Sequence, residues 1–451
     1  MDLKGKKVLV FGSGKSGIGA AELLDRAGAH PVIYDGNPEL DREAVLHKLP
    51  GIKNLEIFAG ELPLEERKNL DLVVLSPGVP TDLPLVKSFY EQGLPVWGEV
   101  ELAYRTGKGR VLAITGTNGK TTTTALLGKI ISDAEESVFV VGNIGTPYTS
   151  KALEMKEDSV TVAEISSFQL ETIQEFAPKV SAILNITEDH LNRHHTMEEY
   201  IRVKELIVKN QGPEDVCVLN YEDPVLREFG EDIIPKTVYF SSEHKLDQGI
   251  YLDEDRIILK TETEEIQLVK TGELKLPGKH NYENVMAAAA MAYYAGVPVE
   301  SIRRSICAFT AVEHRIEYVT EKNGVVYYND SKGTNPDAAI KGIQAMNRPT
   351  YLIGGGYDKG SNYDEWLNSF DGKVKALVLI GQTKEAIRQA AERLEVCPCI
   401  LCEGLEEAVK VCAQKAQPGE AVLLSPACAS WGQFDNYEQR GDMFKKYVNS
   451  L

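Results

Sequence analysis

Residues 111–124 read VLAITGTNGKTTTT: an apolar strand, a short glycine-containing loop, then Lys120 and four threonines opening an amphipathic run. This order suits a nucleoside triphosphate. Backbone N–H groups of Gly116, Thr117, Asn118 and Gly119 can curl round phosphate oxygens, and Lys120 can reach the terminal phosphates. Thr121 or Thr122 can hold Mg²⁺, and the helix that follows aims its positive end at the anion. An ordinary P-loop has glycine where this chain has Ile114; the nearer glycine is Gly116, so the loop is shortened. The competing reading is a plain strand–turn–helix joint.

Composition bounds the context. A chain of 451 residues is long enough for two or three domains with real cores. Hydrophobic content of 43% and charged content of 26% are those of a soluble globular protein. A formal net charge of -18 disfavours nucleic acid as a partner. No stretch approaches the roughly 18 apolar residues of a membrane helix, so no membrane insertion is expected. The apolar run after MDLKGKK is too short for a signal peptide, and seven cysteines do not make a secreted disulfide framework. A cytoplasmic location follows. Cys397, Cys399 and Cys402 cluster in CPCILC, which lacks paired zinc-ligand spacing and reads as reduced thiols in a strand.

Strand–helix alternation predicts three α/β domains in series. The first, 1–98, is Rossmann-like: KKVLVFG, a glycine turn, the helical run AAELLDRAGA, and a second strand ending in Asp35. Gly12, Gly14 and Gly17 satisfy G-x-G-x-x-G with Asp35 about twenty residues on, which admits a dinucleotide or nucleotide diphosphate, or a tight turn that only packs helix on strand. LVVLSPGVP, residues 72–80, is a strand running into a loop that suits a phosphate-facing rim or an ordinary turn. The central domain, 99–311, is P-loop ATPase-like, with charged alternating strands after residue 240 forming a small β-rich excursion. The third, 312–451, is again Rossmann-like.

The chemistry gathers at strand ends, where open α/β sheets take ligands. Glu164 interrupts an apolar strand, a costly position for a carboxylate unless a cation such as Mg²⁺ balances it. The alternative is a rim carboxylate bonded to backbone. His190, beside Asp189, could bind a second metal ion or orient a carboxylate, or be structural. Lys204 lies in TMEEYIRVKELIVKN, with Thr196 as N-cap and Glu199 as capping-box partner. Met197, Tyr200, Lys204 and Ile207 fall on one apolar stripe. Desolvation there would lower the lysine's pKa and give a neutral amine able to form a carbamate with CO₂; otherwise Lys204 snorkels to the helix edge. Asn281 and Asn284, in the first turn of an alanine-rich helix, could bond an adenine edge, or Asn281 could simply cap the helix. In the third domain Asp330, Lys332, Lys359 and Ser430 would ring one rim, cationic enough for a dicarboxylic substrate.

Together these motifs resemble the Mur ligase family. The resemblance spans the chain: GTNGKT, GNIG, ExSSFQLE, DHLxRH, LPGxHNxxN, EHR, NDSKGTN, SPACAS and FxxYEQRG. GTNGKT alone is shared with folylpolyglutamate synthases, whereas NDSKGTN and SPACAS mark the branch that adds D-glutamate. The resemblance implies an ATP-dependent acid–amino-acid ligase of peptidoglycan synthesis, a monomer acting on ATP, D-glutamate and UDP-N-acetylmuramoyl-L-alanine. It implies that Gly14, Lys15, Ser16, Asp35 and Gly36 bind UDP, and that Ser76, Pro77, Gly78 and Asn143 face the diphosphate and sugar. Gln169 would touch the muramoyl group. Lys120 and Thr121 would bind ATP and Mg²⁺, with Glu164 and His190 as metal ligands and Lys204 carbamylated. Asn281, Asn284, Arg315 and Asp330 match ATP contacts, and Lys332, Thr334, Lys359, Ser430 and Tyr437 match the D-glutamate pocket, next to Trp431. Trp431 and Gly432 depart from the smaller apolar and polar residues usual after Ser430.

Acyl-phosphate formation followed by amine attack is the implied chemistry, with the third domain closing to bring the amine in line. Another ligase of the same superfamily is the nearest alternative. A nicotinamide-dependent oxidoreductase built on Gly12, Gly14, Gly17 and Asp35 would leave the P-loop unused. A nucleotide sensor would bind ATP without turnover.

Overall fold

Valine, isoleucine and leucine runs of four to six residues, each ending in glycine or a polar residue, build the strands. The computed structural model describes residues 2–143, 145–276, 278–310, 313–358 and 360–451. Among the described residues the strands form sheets of five, nine and six members. The chain divides into two compact units, 1–268 with 283–306, and 269–282 with 307–451.

In the first unit, the five-stranded sheet runs Glu56–Ala59, His30–Asp35, Lys7–Phe11, Leu72–Leu75, Val96–Gly98, all parallel. Its strand order reverses at Lys7–Phe11, so a crevice opens at the carboxyl ends of that strand and Leu72–Leu75. The nine-stranded sheet places Arg110–Thr115 between Val160–Glu164 and Val180–Ile183. The β-rich excursion does not stand apart from this sheet. Gly249–Asp253 pairs parallel to Lys236–Ser241, and Arg256–Lys260 then pairs antiparallel to it, so the same hydrogen-bonded surface is prolonged.

The two sheets of this unit share one core, in which Val8, Leu24, Trp97 and Val100 join Ala113, Ile165 and Phe176. A buried carboxylate reinforces the join. Glu101 accepts from the backbone N–H groups of Gln174, Glu175 and Phe176 and from Arg105 Nε.

The second unit carries the six-stranded sheet, ordered Glu317–Lys322, Val325–Asn329, Ala421–Leu424, Thr350–Gly354, Val374–Leu379, Cys399–Leu401. Only Glu317–Lys322 runs antiparallel to its neighbour. Trp366, Leu352 and Leu423 fill one face. The cysteines are free thiols, Cys402 buried and Cys397 and Cys399 half-buried, with Cys399 opening the edge strand. Among the described residues no helix is long and apolar enough to cross a membrane.

One helix departs from its expected cap, and a second takes the first-turn reading over the capping one. Thr196 caps Met197–Glu205 by accepting from Glu199 N at 3.2 Å, but the Glu199 carboxylate pairs with Arg202 instead of completing the box. Lys279–Tyr294 begins two residues before Asn281, so Asn281 sits inside the first turn rather than capping it.

Candidate active site

The crevice of the five-stranded sheet is a cavity of about 850 Å³. Gly14, Lys15, Ser16, Asp35, Gly36, Ser76, Pro77 and Gly78 all line it. Gly17 is obligatory for the turn, since a Cβ there would lie 1.9 Å from the Gly12 carbonyl oxygen. Asp35 anchors the same turn, accepting from Ser13 N at 3.0 Å and Ser13 Oγ at 2.6 Å. Burial pushes its carboxyl up, but the Ser13 hydroxyl and the N–H groups of Asn37 and Ser13 outweigh this and hold it below the usual range. Lys15 donates to the Gly145 carbonyl, and among the described residues Asn143, Gln169 and His190 do not line this cavity.

The P-loop forms a second focus in the same unit. Gly119 caps the helix Lys120–Ser132 in a left-handed conformation, φ +83°, and an added Cβ would meet Asn284 Oδ1 at 2.3 Å. Asn284 also accepts from Thr123 Oγ1 at 3.2 Å. Thr117 ties the loop to its surroundings: its hydroxyl lies 3.0 Å from the Tyr200 hydroxyl, and it donates to the Thr187 carbonyl. Asn118 N donates to Asn185 Oδ1. Thr121 and Thr122 follow in the first helical turn, Thr122 buried.

Two lysines converge on this loop. Lys120 Nζ donates to the carbonyl oxygens of Gly116 and Thr117, at 2.7 and 2.8 Å. Lys204 is 1% exposed, and its Nζ donates to Gly116 O at 2.8 Å. The helix stripe therefore buries its ammonium rather than letting it snorkel. Burial, with the Lys120 charge adding to it, lowers the Lys204 pKa to about 7, and Asp189 opposes the shift only weakly.

Glu164 closes its strand one step from the loop, opposite Ile114. Its Oε1 accepts from Asn143 Nδ2 at 2.8 Å, while Oε2 is buried with no partner among the described residues. His190 stands on the facing turn in a left-handed conformation, φ +54°, half exposed, its ring 4.9 Å from that of Phe168. Gln169 is buried, donating from Nε2 to Glu99 Oε1 at 2.8 Å and accepting from Ser166 N. Glu99 lies wholly inside; burial pushes its carboxyl up to about 7 against the Gln169 bond.

The second unit gathers its own set. Asp330 is buried after Val325–Asn329 and accepts from Ser425 Oγ at 2.7 Å. Burial raises its pKa to about 7, opposed by the Ser425 bond and then by the Arg315 charge. Arg315 lies between two non-glycine residues in left-handed conformations, His314 at φ +63° and Ile316 at φ +48°, and its Nε is buried with no partner among the described residues. Strain of that kind is held only where surroundings impose it. Lys332 Nζ lies 5.6 Å from the Tyr437 ring centroid, and Thr334 N donates to Lys332 O. Ser430 is buried, whereas Trp431 is half exposed with its ring edge-on to Tyr357. Lys359 lies outside the described residues, and Asn281 is buried in its helix turn.

Arg440 escaped the sequence reading. It is fully buried and donates to Ser331 Oγ, Ser331 O and Cys428 O, so it ties the loop bearing Lys332 to the loop bearing Ser430. The ligand atoms of Glu313, His314 and Asp442 lie within 4.8 Å of one another, and Lys445 pairs with both carboxylates.

Three family models match in succession: "Mur ligase MurD-like, N-terminal domain" over residues 6–98, "Mur ligase middle domain" over 114–292, and "Mur ligase, glutamate ligase domain" over 314–428. The UDP-N-acetylmuramoylalanine–D-glutamate ligase of Lachnoclostridium phytofermentans is 56% identical over 451 residues, covering 100% of this chain and 99% of that protein. The chain belongs to the Mur ligase family. Proteins of the same name from Lachnospira eligens and Clostridioides difficile are 55% and 46% identical, each aligned over 100% of both chains. Among solved Mur ligase structures, UDP-N-acetylmuramate-alanine ligase MurC from Thermotoga maritima superposes with TM-score 0.59 at 20% identity, covering 99% of this chain and all of that one. MurF ligase from Thermotoga maritima, solved in complex with ADP, gives TM-score 0.58 at 19% identity over 99% of this chain and 96% of that one. These two likenesses establish a shared Mur ligase fold.

Proposed function

We propose that this chain joins D-glutamate to UDP-N-acetylmuramoyl-L-alanine with cleavage of ATP, as a monomer in the cytoplasm, in the assembly of a peptidoglycan precursor. Full-length identity of 56% to a ligase of that name carries the reading. The geometry supplies means for it. The 850 Å³ cavity would take the UDP end, with Gly14, Lys15, Ser16, Asp35, Gly36, Ser76, Pro77 and Gly78 around it. Asn143, Gln169 and His190 would face the sugar and acyl portions.

ATP would lie along Gly116–Thr122, with Asn281 and Asn284 toward the base and Arg315 and Asp330 toward the ribose and phosphates. The L-alanyl carboxylate oxygen attacks the γ-phosphorus, the bond to the bridging oxygen breaks, and ADP leaves an acyl phosphate. Lys120 and Arg315 would neutralise charge spread over the transferring group. Lys332, Thr334, Lys359, Ser430, Trp431 and Tyr437 would hold D-glutamate. Its neutral amine attacks the acyl carbon, phosphate departs, and the nitrogen gives up a proton as the amide forms.

The residues fit a hard divalent cation. Glu164 Oε2 is a buried carboxylate oxygen with no partner among the described residues, a costly state that an oxygen-seeking cation relieves. Thr121, Glu164 and His190, with Lys204 as a carbamate, would hold Mg²⁺, which supplies charge neutralisation at phosphate oxygens when bound. The carbamate arises when neutral Lys204 Nζ adds to CO₂ and releases one proton.

ADP release measured with the UDP precursor and either glutamate isomer tests the reading. Release that requires the precursor and the D isomer is expected. Equal release with L-glutamate, or release without precursor, overturns it.

A further inference from the structure

Arg193 lies between the wall of the nucleotide cavity and the turn that bears His190. Its guanidinium forks onto Glu171, Nε to Oε1 at 3.1 Å and Nη2 to Oε2 at 2.6 Å, and Nη2 also donates to the Val79 carbonyl at 2.9 Å. Val79 belongs to the loop that lines the cavity. Glu171 in turn accepts from Thr81 Oγ1 at 3.3 Å, on the same loop, and its Oε1 lies 3.5 Å from His194 Nδ1. The pair is only 11% and 10% exposed.

The opposite face of the guanidinium covers Phe168, 5.1 Å from the ring centroid, and that ring also packs against His190 and His194 at 4.9 and 5.5 Å. His194 Nε2 is 3.0 Å from Ser167 Oγ. One buried cation therefore touches the cavity loop, the helix Ser167–Leu170 with its flank, and the His190 turn. Burying two charges is worthwhile only where their geometry is well used, and here Nε and Nη2 fork onto Glu171 while Nη2 also reaches the Val79 carbonyl, so one guanidinium joins two segments.

We propose that Arg193, held by Glu171, is a positioning residue that couples filling of the nucleotide cavity to the placement of His190. A nucleotide diphosphate pressing on 76–80 fixes the Val79 carbonyl, which fixes the guanidinium and, through Phe168, the histidine turn. This rests on the reading of the cavity as a UDP site.

UDP alone is the probe, since it lacks the acyl end that would reach His190 directly. Amide hydrogen exchange of the full chain is followed with and without UDP, in the absence of ATP and Mg²⁺. Slowed exchange is expected in both 76–81 and 189–195. In Arg193→Lys and Glu171→Gln, which keep bulk but lose the fork, slowing is expected in 76–81 alone, with a KM for the precursor raised about 10-fold and an unchanged KM for D-glutamate. UDP protection confined to 76–81 in the natural chain overturns the coupling, as does protection of 189–195 that survives in both variants. No protection anywhere overturns the UDP reading instead. If neither variant folds, the experiment on the natural chain decides.

Discussion

Lys120 and Lys204 donate to the same atom, the carbonyl oxygen of Gly116, at 2.7 and 2.8 Å. Lys204 is the deeply buried one of the two, and its burial, with the Lys120 charge adding to it, lowers its pKa to about 7. The arrangement separates their tasks. Lys120 is held on the loop by the Gly116 and Thr117 carbonyls, and its proposed task is at the phosphates. Lys204, with its pKa near 7, is the one whose neutral amine is within reach at ordinary pH.

Replacing Lys120 with alanine should cut ADP release by about 1000-fold, the scale of losing a preorganised charge at a reacting centre. Precursor binding by calorimetry should stay within twofold, because the cavity that would hold UDP contains no atom of Lys120. Retained turnover would refute the role given to this lysine.

For Lys204 the sign of the pH dependence follows from its pKa of about 7. Above that value the neutral amine predominates and can add CO₂; below it the proton blocks addition. Activity in CO₂-depleted buffer should therefore fall and recover on adding bicarbonate at pH 8, and recovery should weaken from pH 8 to pH 6. With ¹³C-bicarbonate a carbamate carbon signal should appear in the natural chain and be missing from Lys204→Met. That variant should melt at a higher temperature at pH 7, because a buried amine whose folded pKa lies below its unfolded value destabilises the fold there.

Gly119→Ala tests the loop's geometry. Its φ of +83° disfavours a Cβ, and that Cβ would strike Asn284 Oδ1 at 2.3 Å. The strain is about 1–2 kcal/mol before the collision is counted. Chemical denaturation should report at least that loss, and ATP-analogue affinity should drop more than precursor affinity. Equal losses for both ligands would show that the loop serves general packing.

Much of this site was legible because its signals are local. The spacing of Met197, Tyr200, Lys204 and Ile207 fixes one helix face whatever the partner, and a lone carboxylate in VTVAE announces an unpaid desolvation cost wherever the strand goes. What the periodicity could not supply is the partner. Gly116 is 88 residues from Lys204, and Val79 is 114 from Arg193, so neither contact leaves a mark at either end. The alternating strands after residue 240 show the same limit: a period of two identifies a strand but not the sheet it joins, and they prolong the central one. Glu199 shows a local signal defeated by a local rival, Arg202, three residues along.

Glu99 offers a test of the packed interior beneath the first sheet. It accepts from Gln169 Nε2 through Oε1, while Oε2 is buried with no partner among the described residues. Its pKa of about 7 exceeds the ordinary 4.5, so between those values the folded chain binds a proton that the unfolded chain does not. Stability therefore falls as pH rises through that window, by at most about 3 kcal/mol. Glu99→Gln keeps an oxygen for Gln169 and removes the charge. The variant should exceed the natural chain in stability at pH 8, by about 2 kcal/mol, and the difference should shrink toward pH 5. Denaturant midpoints at the two pH values measure it. A constant difference between the two proteins would mean that the Glu99 carboxylate ionises inside the fold without penalty, and that Oε2 has found compensation in the native state.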